Sequence, residues 1–365
     1  MTGSRWVTLK DIADALGISR GTVDRVMHGR GRVSEDTRDR IVEKARELGY
    51  VPNQSARMLA MRQSLTIAVL RPASPRAFFH AVERGVAVAR DELLGFGLSV
   101  DERTTHSHDE SLQQRQISEA VEAGVDGIAL VAAHRSRLDG MIARASEAGI
   151  PVVTFNSDAP ESERAMFVGQ DLYRSGRVAG ELIGRFVGGG GSIGILTGFS
   201  ELWAHQERVR GIEDSIAEYF PGTQLLGPFE YHDEIGEAER LARRLLDEEA
   251  TIRGFVSTTG IGHTAVGRVL LERSLAGRIQ NIGFDVDEEV RELMHQNAIQ
   301  ASIGQDPFLQ GYLAVKLLFH HLTNREVQEK TVHHTKIEVL LRSTIDHVAP
   351  ENEPYFRAYS RREAL

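Results

Sequence analysis

The chain has 365 residues, 41% hydrophobic and 26% charged, with a formal net charge of −9; this is an ordinary globular composition, too long for one core, so two or three domains are expected. It has no cysteine, which excludes disulfides, thiolate metal sites and a cysteine nucleophile. No run of about 18 apolar residues suggests a membrane span, and the opening residues lack the apolar stretch of a secretory leader, so a cytoplasmic protein is expected.

Charge is distributed unevenly. Residues 1–63 hold 12 Lys+Arg and 8 Asp+Glu, a net of +4, which leaves −13 on the rest. A basic head on an acidic body points to a polyanionic partner for the head alone. Within the head, Leu9, Ile12, Ala13 and Leu16 recur at helical spacing and Gly17 breaks the helix. Ser19 reads as the N-cap of a second helix, Arg20 to about Met27, whose apolar stripe is Val23, Val26 and Met27. Its other face shows Arg20, Gly21, Thr22, Asp24 and Arg25. Ser34 opens a third helix, with Glu35 and Asp36 at its positive end, running through Ile41, Ala45 and Leu48 to Gly49. Three short helices with a basic second one follow helix–turn–helix logic. The second helix presents its N-terminal residues to the major groove, where arginine meets phosphates and guanine edges. Beyond Pro52, Asn53 can cap a hinge helix too short to hold itself in water.

From Val7 to Ala60 the motifs "TLKDIA", "GIS", "TV.RV", "VS..TR..I", "A..LGY.PN" and "A..LA" follow one another in order. This stretch resembles the DNA-binding head and hinge of the LacI family. The resemblance implies DNA contacts from Thr8, Ser19, Arg20, Gly21, Thr22, Arg25, His28 and Arg32. It also implies contacts from Asn53, Ala56 and Leu59 in the hinge, with Leu59 wedged into the minor groove. Two residues depart from the family's habit: Gly21 offers no side chain, and Asp24 stands where serine is common.

From Leu65 onward, apolar strands such as "LTIAVL", "LSVDERT", "GIALV", "PVVTFN", "SIGILTG", "GPFEY", "GFVSTT", "NIGFD" and "QASIG" alternate with amphipathic helices over residues 79–93, 109–123, 136–148, 174–187 and 207–218. That is an α/β chain with parallel sheets, and such sheets place ligands at the carboxyl ends of their strands. The residues that follow the strands are polar and planar: Phe78 and Phe79, Asn156 to Asp158, Trp203, Arg208, His263, Asp285 and Gln305. They suit a polyhydroxylated ligand.

The pieces "FF..AVERGV", "GVDGIALV", "AGIPVVTFNSD", "VGQDLYRSGRVAGELI", "ER.RGI", "IGFD" and "ASIGQDP" resemble ribose-type periplasmic sugar-binding proteins and the effector domains of LacI-family regulators. The resemblance implies a two-lobed, type I periplasmic-binding-protein-like body. It implies ligand contacts at Phe78, Phe79, Asn156, Arg208, Asp285 and Gln305, with Asp158, Trp203 and His263 as further candidates. Asn156 and Ser157 replace the aspartate and arginine usual in the ribose type, which argues against ribose itself.

The expected division is a head at 1–52, a hinge at 53–63, a body at 64–347 and a tail at 348–365. Within the body, the N-lobe is expected at about 64–160 and 288–325 and the C-lobe at about 161–287 and 326–347. "GGGGS" at 188–192 lacks the Lys-Ser/Thr of a phosphate loop and reads as a helix-to-strand turn. The pairs His320-His321 and His333-His334 lack metal-ligand spacing, and His106 and His108 lack a partner. No cofactor, metal or catalytic set is expected. The expected protein is a homodimeric repressor that binds a pseudo-palindromic DNA operator under control of a carbohydrate effector. A transport-type sugar-binding protein and a Rossmann-like enzyme are the alternatives.

Overall fold

The computed structural model describes residues 7–27, 33–48, 64–105, 109–132, 137–323 and 331–347. The chain divides into two units, residues 1–63 and 64–365.

The first unit holds α1 (Leu9–Leu16), α2 (Arg20–Met27) and α3 (Glu35–Glu47). Each start is fixed by a local cap. The Thr8 hydroxyl accepts from the Asp11 N–H while the Asp11 carboxylate accepts from the Thr8 N–H, a reciprocal capping box. Ser19 Oγ accepts from the Thr22 N–H at 3.1 Å, and Ser34 caps α3 through the Thr37 N–H. Gly17, at φ 66°, closes α1 in the left-handed conformation that glycine adopts without penalty. The core is Ile12, Ala13, Val23, Val26, Ile41 and Ala45, with Leu9, Leu16, Ile18 and Met27 around it. Burying each large aliphatic side chain contributes about 1.5–3 kcal/mol. The hinge, residues 53–63, the contacts expected of His28, Arg32, Asn53, Ala56 and Leu59, His106 and His108, and the tail at 348–365 all lie outside the described residues.

The second unit contains two six-stranded sheets. The first is built from β1 (Leu65–Pro72), β2 (Leu98–Thr105), β3 (Gly127–Leu130), β4 (Val152–Phe155), β5 (Met166–Gln170) and an edge strand at Val332–Thr335. In space, β5 lies between that edge strand and β4, followed by β3, β1 and β2, and every pairing is parallel. Helices α4 (Arg76–Leu93), α5 (Glu110–Glu122) and α6 (Asp139–Glu147) follow β1, β2 and β3. The second lobe runs through α7 (Leu172–Val187), β6 (Ser192–Thr197), α8 (Trp203–Tyr219), β7 (Gln224–Glu230), α9 (Ile235–Glu248), β8 (Ile252–Ser257), α10 (Gly260–Glu272), β9 (Gln280–Phe284), α11 (Glu288–His295) and β10 (Ala301–Gly304). Then α12 (Pro307–Thr323) and the edge strand, β11, return to the first lobe, and β12 (Glu338–Leu340) closes the second. The second sheet has the order β12-β10-β9-β8-β6-β7, parallel except for β12 against β10.

Both sheets bury aliphatic strands under helices on each face. Ile128, Leu130 and Ile142 sit in one core of the first lobe, and Ile193, Ile195 and Phe284 in one of the second. Strand order reverses at β1/β3 and at β6/β8, the switch points outside which such folds bind ligands. The chain crosses between lobes after β5, after β10 and between β11 and β12. The buried Gln170 amide, at the end of β5, donates to the Gly304 carbonyl at 3.0 Å and to the Lys336 carbonyl at 3.2 Å, so one side chain ties the three crossings together.

The structure corrects several expected boundaries. Residues 161–170 and 331–335 belong with the first lobe, because β5 and β11 pair in its sheet. Residues 288–304 belong with the second, where Val290, Leu293, Met294 and Leu340 share one core. Helix α8 begins at Trp203 rather than residue 207, and α4 begins at Arg76 rather than residue 79. The glycine run is a turn: Gly188, at φ 76°, closes α7 before β6.

Candidate functional site

In the head, the N-terminal turn of α2 is open to solvent. Ser19, Arg20, Gly21 and Arg25 are exposed. Arg25 lies back along its own helix, with Nε donating to the Gly21 carbonyl at 3.1 Å and Nη2 near the Thr22 hydroxyl at 3.4 Å. Val23 and Val26, on the other side, hold the helix to the core. Thr8, Ser19 and Thr22 use their hydroxyls within the head, Thr8 on Asp11 at 2.6 Å and Ser19 with Thr22 at 2.9 Å. Arg20, in the first turn, and Arg25, in the last, are the exposed cations of this helix.

In the body, the carboxyl ends of both sheets abut the crossings, and their polar residues are set by backbone conformation. Asn156, Asp233, Asp285 and Asp306 have φ of 62°, 56°, 68° and 56°. Asn and Asp are the side chains that best tolerate this left-handed region, and strained backbone of this kind clusters at functional sites.

Gln305, at the second crossing, is the hub. Its Nε2 donates to Asp285 Oδ1 at 2.6 Å, and its Oε1 accepts from Arg208 Nη2 at 3.0 Å and from Asn156 Nδ2 at 3.4 Å. Its own carbonyl accepts from Gln310 Nε2 and Thr335 Oγ1. Arg208 is 3% exposed. Its Nη1 donates to the Thr258 carbonyl at 2.8 Å, and the guanidinium lies 3.9 Å above the Phe284 ring. Burial lowers its pKa to about 10, so it remains a cation at neutral pH. Burial pushes the Asp285 carboxyl up, opposed by Arg208 and by the Gln305 bond.

Arg208 is placed by close helix packing. A Cβ at Gly176 of α7 would overlap the backbone carbonyl of Arg208, and one at Gly211 of α8 would overlap that of Tyr173. The absence of side chains at these two positions lets α8 approach far enough for Arg208 to reach Gln305.

The structure thus brings Asn156, Arg208, Asp285 and Gln305 into one hydrogen-bonded cluster. Phe78 and Phe79 stand apart on the first lobe, in the first turn of α4, with ring centroids 5.1 Å apart and edge to face. Trp203 opens α8 and is half-buried. Two candidates lie outside this cluster. Asp158 is held by Arg164 through both carboxylate oxygens and accepts from the Thr154 hydroxyl and the Ala159 N–H, so it braces the first lobe. His263 is fully buried against Gly283, with Nδ1 3.2 Å from the Thr259 carbonyl. Burial lowers its pKa to about 4 and it stays neutral, a core residue of the second lobe. Sequence reasoning missed Asp233, although it follows strand "GPFEY" and the same carboxyl-end rule reaches it. It also missed Gln170, a strand-end residue in a strand that was not read.

These two parts are a helix–turn–helix head and a two-lobed, doubly wound body whose polar rim lies at the crossings. They define a DNA-binding sensor with a periplasmic-binding-protein-like domain. Residues 67–326 match the periplasmic binding protein domain family, and residues 8–53 match the bacterial regulatory proteins of the lacI family. The chain belongs to the lacI family of transcriptional regulators and carries a sugar-binding-type effector domain.

It is 28% identical to the transcriptional regulator CelR of Thermobifida fusca over 343 residues, 90% of this chain and 95% of the relative. It is also 28% identical to the ribose operon repressor of Bacillus subtilis over 287 residues, 76% of this chain and 81% of the relative. Among solved structures it resembles a solute-binding protein from Burkholderia graminis in complex with D-arabinose. The TM-score is 0.73 at 25% identity, over 78% of this chain and 97% of that one. Among the described residues no helix is long and apolar enough to cross a membrane.

Proposed function

We propose that the protein is a cytoplasmic homodimeric repressor that binds a pseudo-palindromic operator and releases it when a carbohydrate closes the body's two lobes. The observation that carries this reading is the Gln305 hub. It joins Asn156 of the first lobe to Arg208 and Asp285 of the second, at a crossing. A sugar whose hydroxyls bond to these groups would bind the closed arrangement more tightly than the open one, and only such a difference in affinity can shift the equilibrium. Phe78, Phe79 and Trp203 supply aromatic faces for the ring.

On the DNA side, Arg20 reads a base edge while Arg25 steadies the phosphate backbone. One head offers few reading side chains, so two-fold symmetry and mirrored half-sites are expected. CelR and the ribose operon repressor are regulators, and the arabinose-bound neighbour holds a sugar in the same fold. The ligand is bound without being converted.

The test selects operator sequences from random DNA with the full chain, then screens sugars for thermal stabilisation. Symmetric half-sites and a stabilising sugar support the reading. An asymmetric site protected by a monomer would overturn it.

A further inference from the structure

Asp233 ends the turn after β7, in left-handed backbone. Its carboxylate makes no hydrogen bond and no ion pair among the described residues, and Oδ1 is buried. The side chain lies against Gly198, just past the end of β6, where His205 of α8 packs on the same glycine. Next to it, Tyr231 is fully buried, its hydroxyl shared with Thr259 and Ser257.

A carboxylate oxygen taken out of water without a donor is costly unless something else supplies one. Its charged neighbours do not help. Burial is the main effect on it, and Asp285, from the end of β9, and Glu234, from its own turn, add to that effect. Together they push its pKa up to about 6, and His232, exposed on the same turn, opposes them weakly. At neutral pH the group is still mostly ionised.

The charges of this rim do not balance. Arg208 is the guanidinium of the rim network, and its charge already faces Asp285. Asp233 is a further negative charge, and among the described residues no hydrogen bond or ion pair is set against it. We propose that Asp233 is a specificity-determining residue that selects a carbohydrate bearing a positively charged amino group, with the ammonium seated on its carboxylate. This rests on the carbohydrate reading above. A neutral hydroxyl would donate to Asp233 but leave its charge uncompensated. An ammonium brings up to three donors and cancels that charge, and the resulting charge-assisted bonds are the stronger kind.

The test is calorimetry on the full chain near neutral pH with matched trios: D-glucosamine, D-glucose and N-acetyl-D-glucosamine, and the galactose and mannose equivalents. In at least one trio the amine is expected to bind about tenfold tighter than the other two members. Asp233→Asn should abolish that preference. The unliganded melting temperature of this variant should equal or exceed that of the parent, because Asn keeps the shape and removes a repelled charge. The preference should also shrink as the pH falls from about 7.5 to about 5.5, as a proton replaces the ammonium on the carboxylate. Neutral or N-acetylated sugars that bind as well as their amines overturn the proposal and leave the carbohydrate reading standing. No binding by any member overturns the proposal, while the carbohydrate reading is decided by the broader sugar screen.

Discussion

Arg208→Met removes a guanidinium with three roles: it donates to the Thr258 carbonyl, it donates to Gln305 Oε1, and it stacks on Phe284. Methionine keeps most of the stem's volume, so the cavity effect is small and the loss is electrostatic. Removing one partner of a buried charge pair typically costs about 3–5 kcal/mol, because the other charge is left uncompensated. Here Asp285 is that charge, and its carboxyl already sits above its ordinary value through burial. Without Arg208 it rises further. A carboxylate whose folded pKa exceeds its unfolded pKa costs stability as pH rises from the unfolded value through the folded one. The gap between parent and variant should therefore be widest at about pH 8 and narrower at about pH 5, where Asp285 can hold a proton. Urea unfolding at the two pH values measures this, and calorimetry should show effector affinity lost by at least about tenfold. An equal gap at both pH values would refute the pairing of Arg208 with Asp285. Full effector affinity in the variant would refute its place in the site.

Gly176→Val should force α7 and α8 apart and cost about 1–3 kcal/mol as overpacking; effector affinity should fall with it, because Arg208 moves, and retained affinity in a destabilised variant would show that helix spacing does not set the site. Arg20→Ala should lose about 1–3 kcal/mol at one base pair of each half-site; a uniform loss across all operator variants makes Arg20 a phosphate contact instead. His263 is buried neutral, its pKa lowered to about 4 from an ordinary 6.5. The unfolded chain takes up its proton first, so stability present above about pH 6.5 should be lost as pH falls toward 4, by up to about 3 kcal/mol. His263→Leu should flatten that part of the acid unfolding curve, and an unchanged curve would show that His263 is not its source.

The parts of the molecule that were legible in the sequence are those decided locally. Ser19 and Ser34 announce the second and third helices of the head because a cap needs only a hydroxyl and an N–H three residues on. The alternation of strand and helix announced both sheets. What escaped was decided by pairing. Met166–Gln170 follows β4 with no helix between them, so the alternation gave no cue, and the lobe boundary moved with it. Helix α8 starts without a side-chain cap at Leu202, so its first turn read as a loop. Asn156, Arg208, Asp285 and Gln305 were named because strand ends are predictable and the family resemblance pointed to them, and the fold joins them by hydrogen bonds. Asp158 and His263 obey the same rule of position, but Arg164 and Gly283 claim them, and only the folded chain shows that. Asp233 required the converse knowledge, that no donor reaches it.

The central claim is that occupancy of the rim changes affinity for DNA. Fluorescence anisotropy of the selected operator, titrated with the full chain at fixed salt, with and without a saturating sugar identified by the stabilisation screen, measures it directly. The account predicts weaker operator binding with the sugar, by about 5–150-fold, a coupling of about 1–3 kcal/mol, with sugar affinity reduced by the same factor when the operator is bound. Identical operator affinity with and without the bound sugar would contradict it.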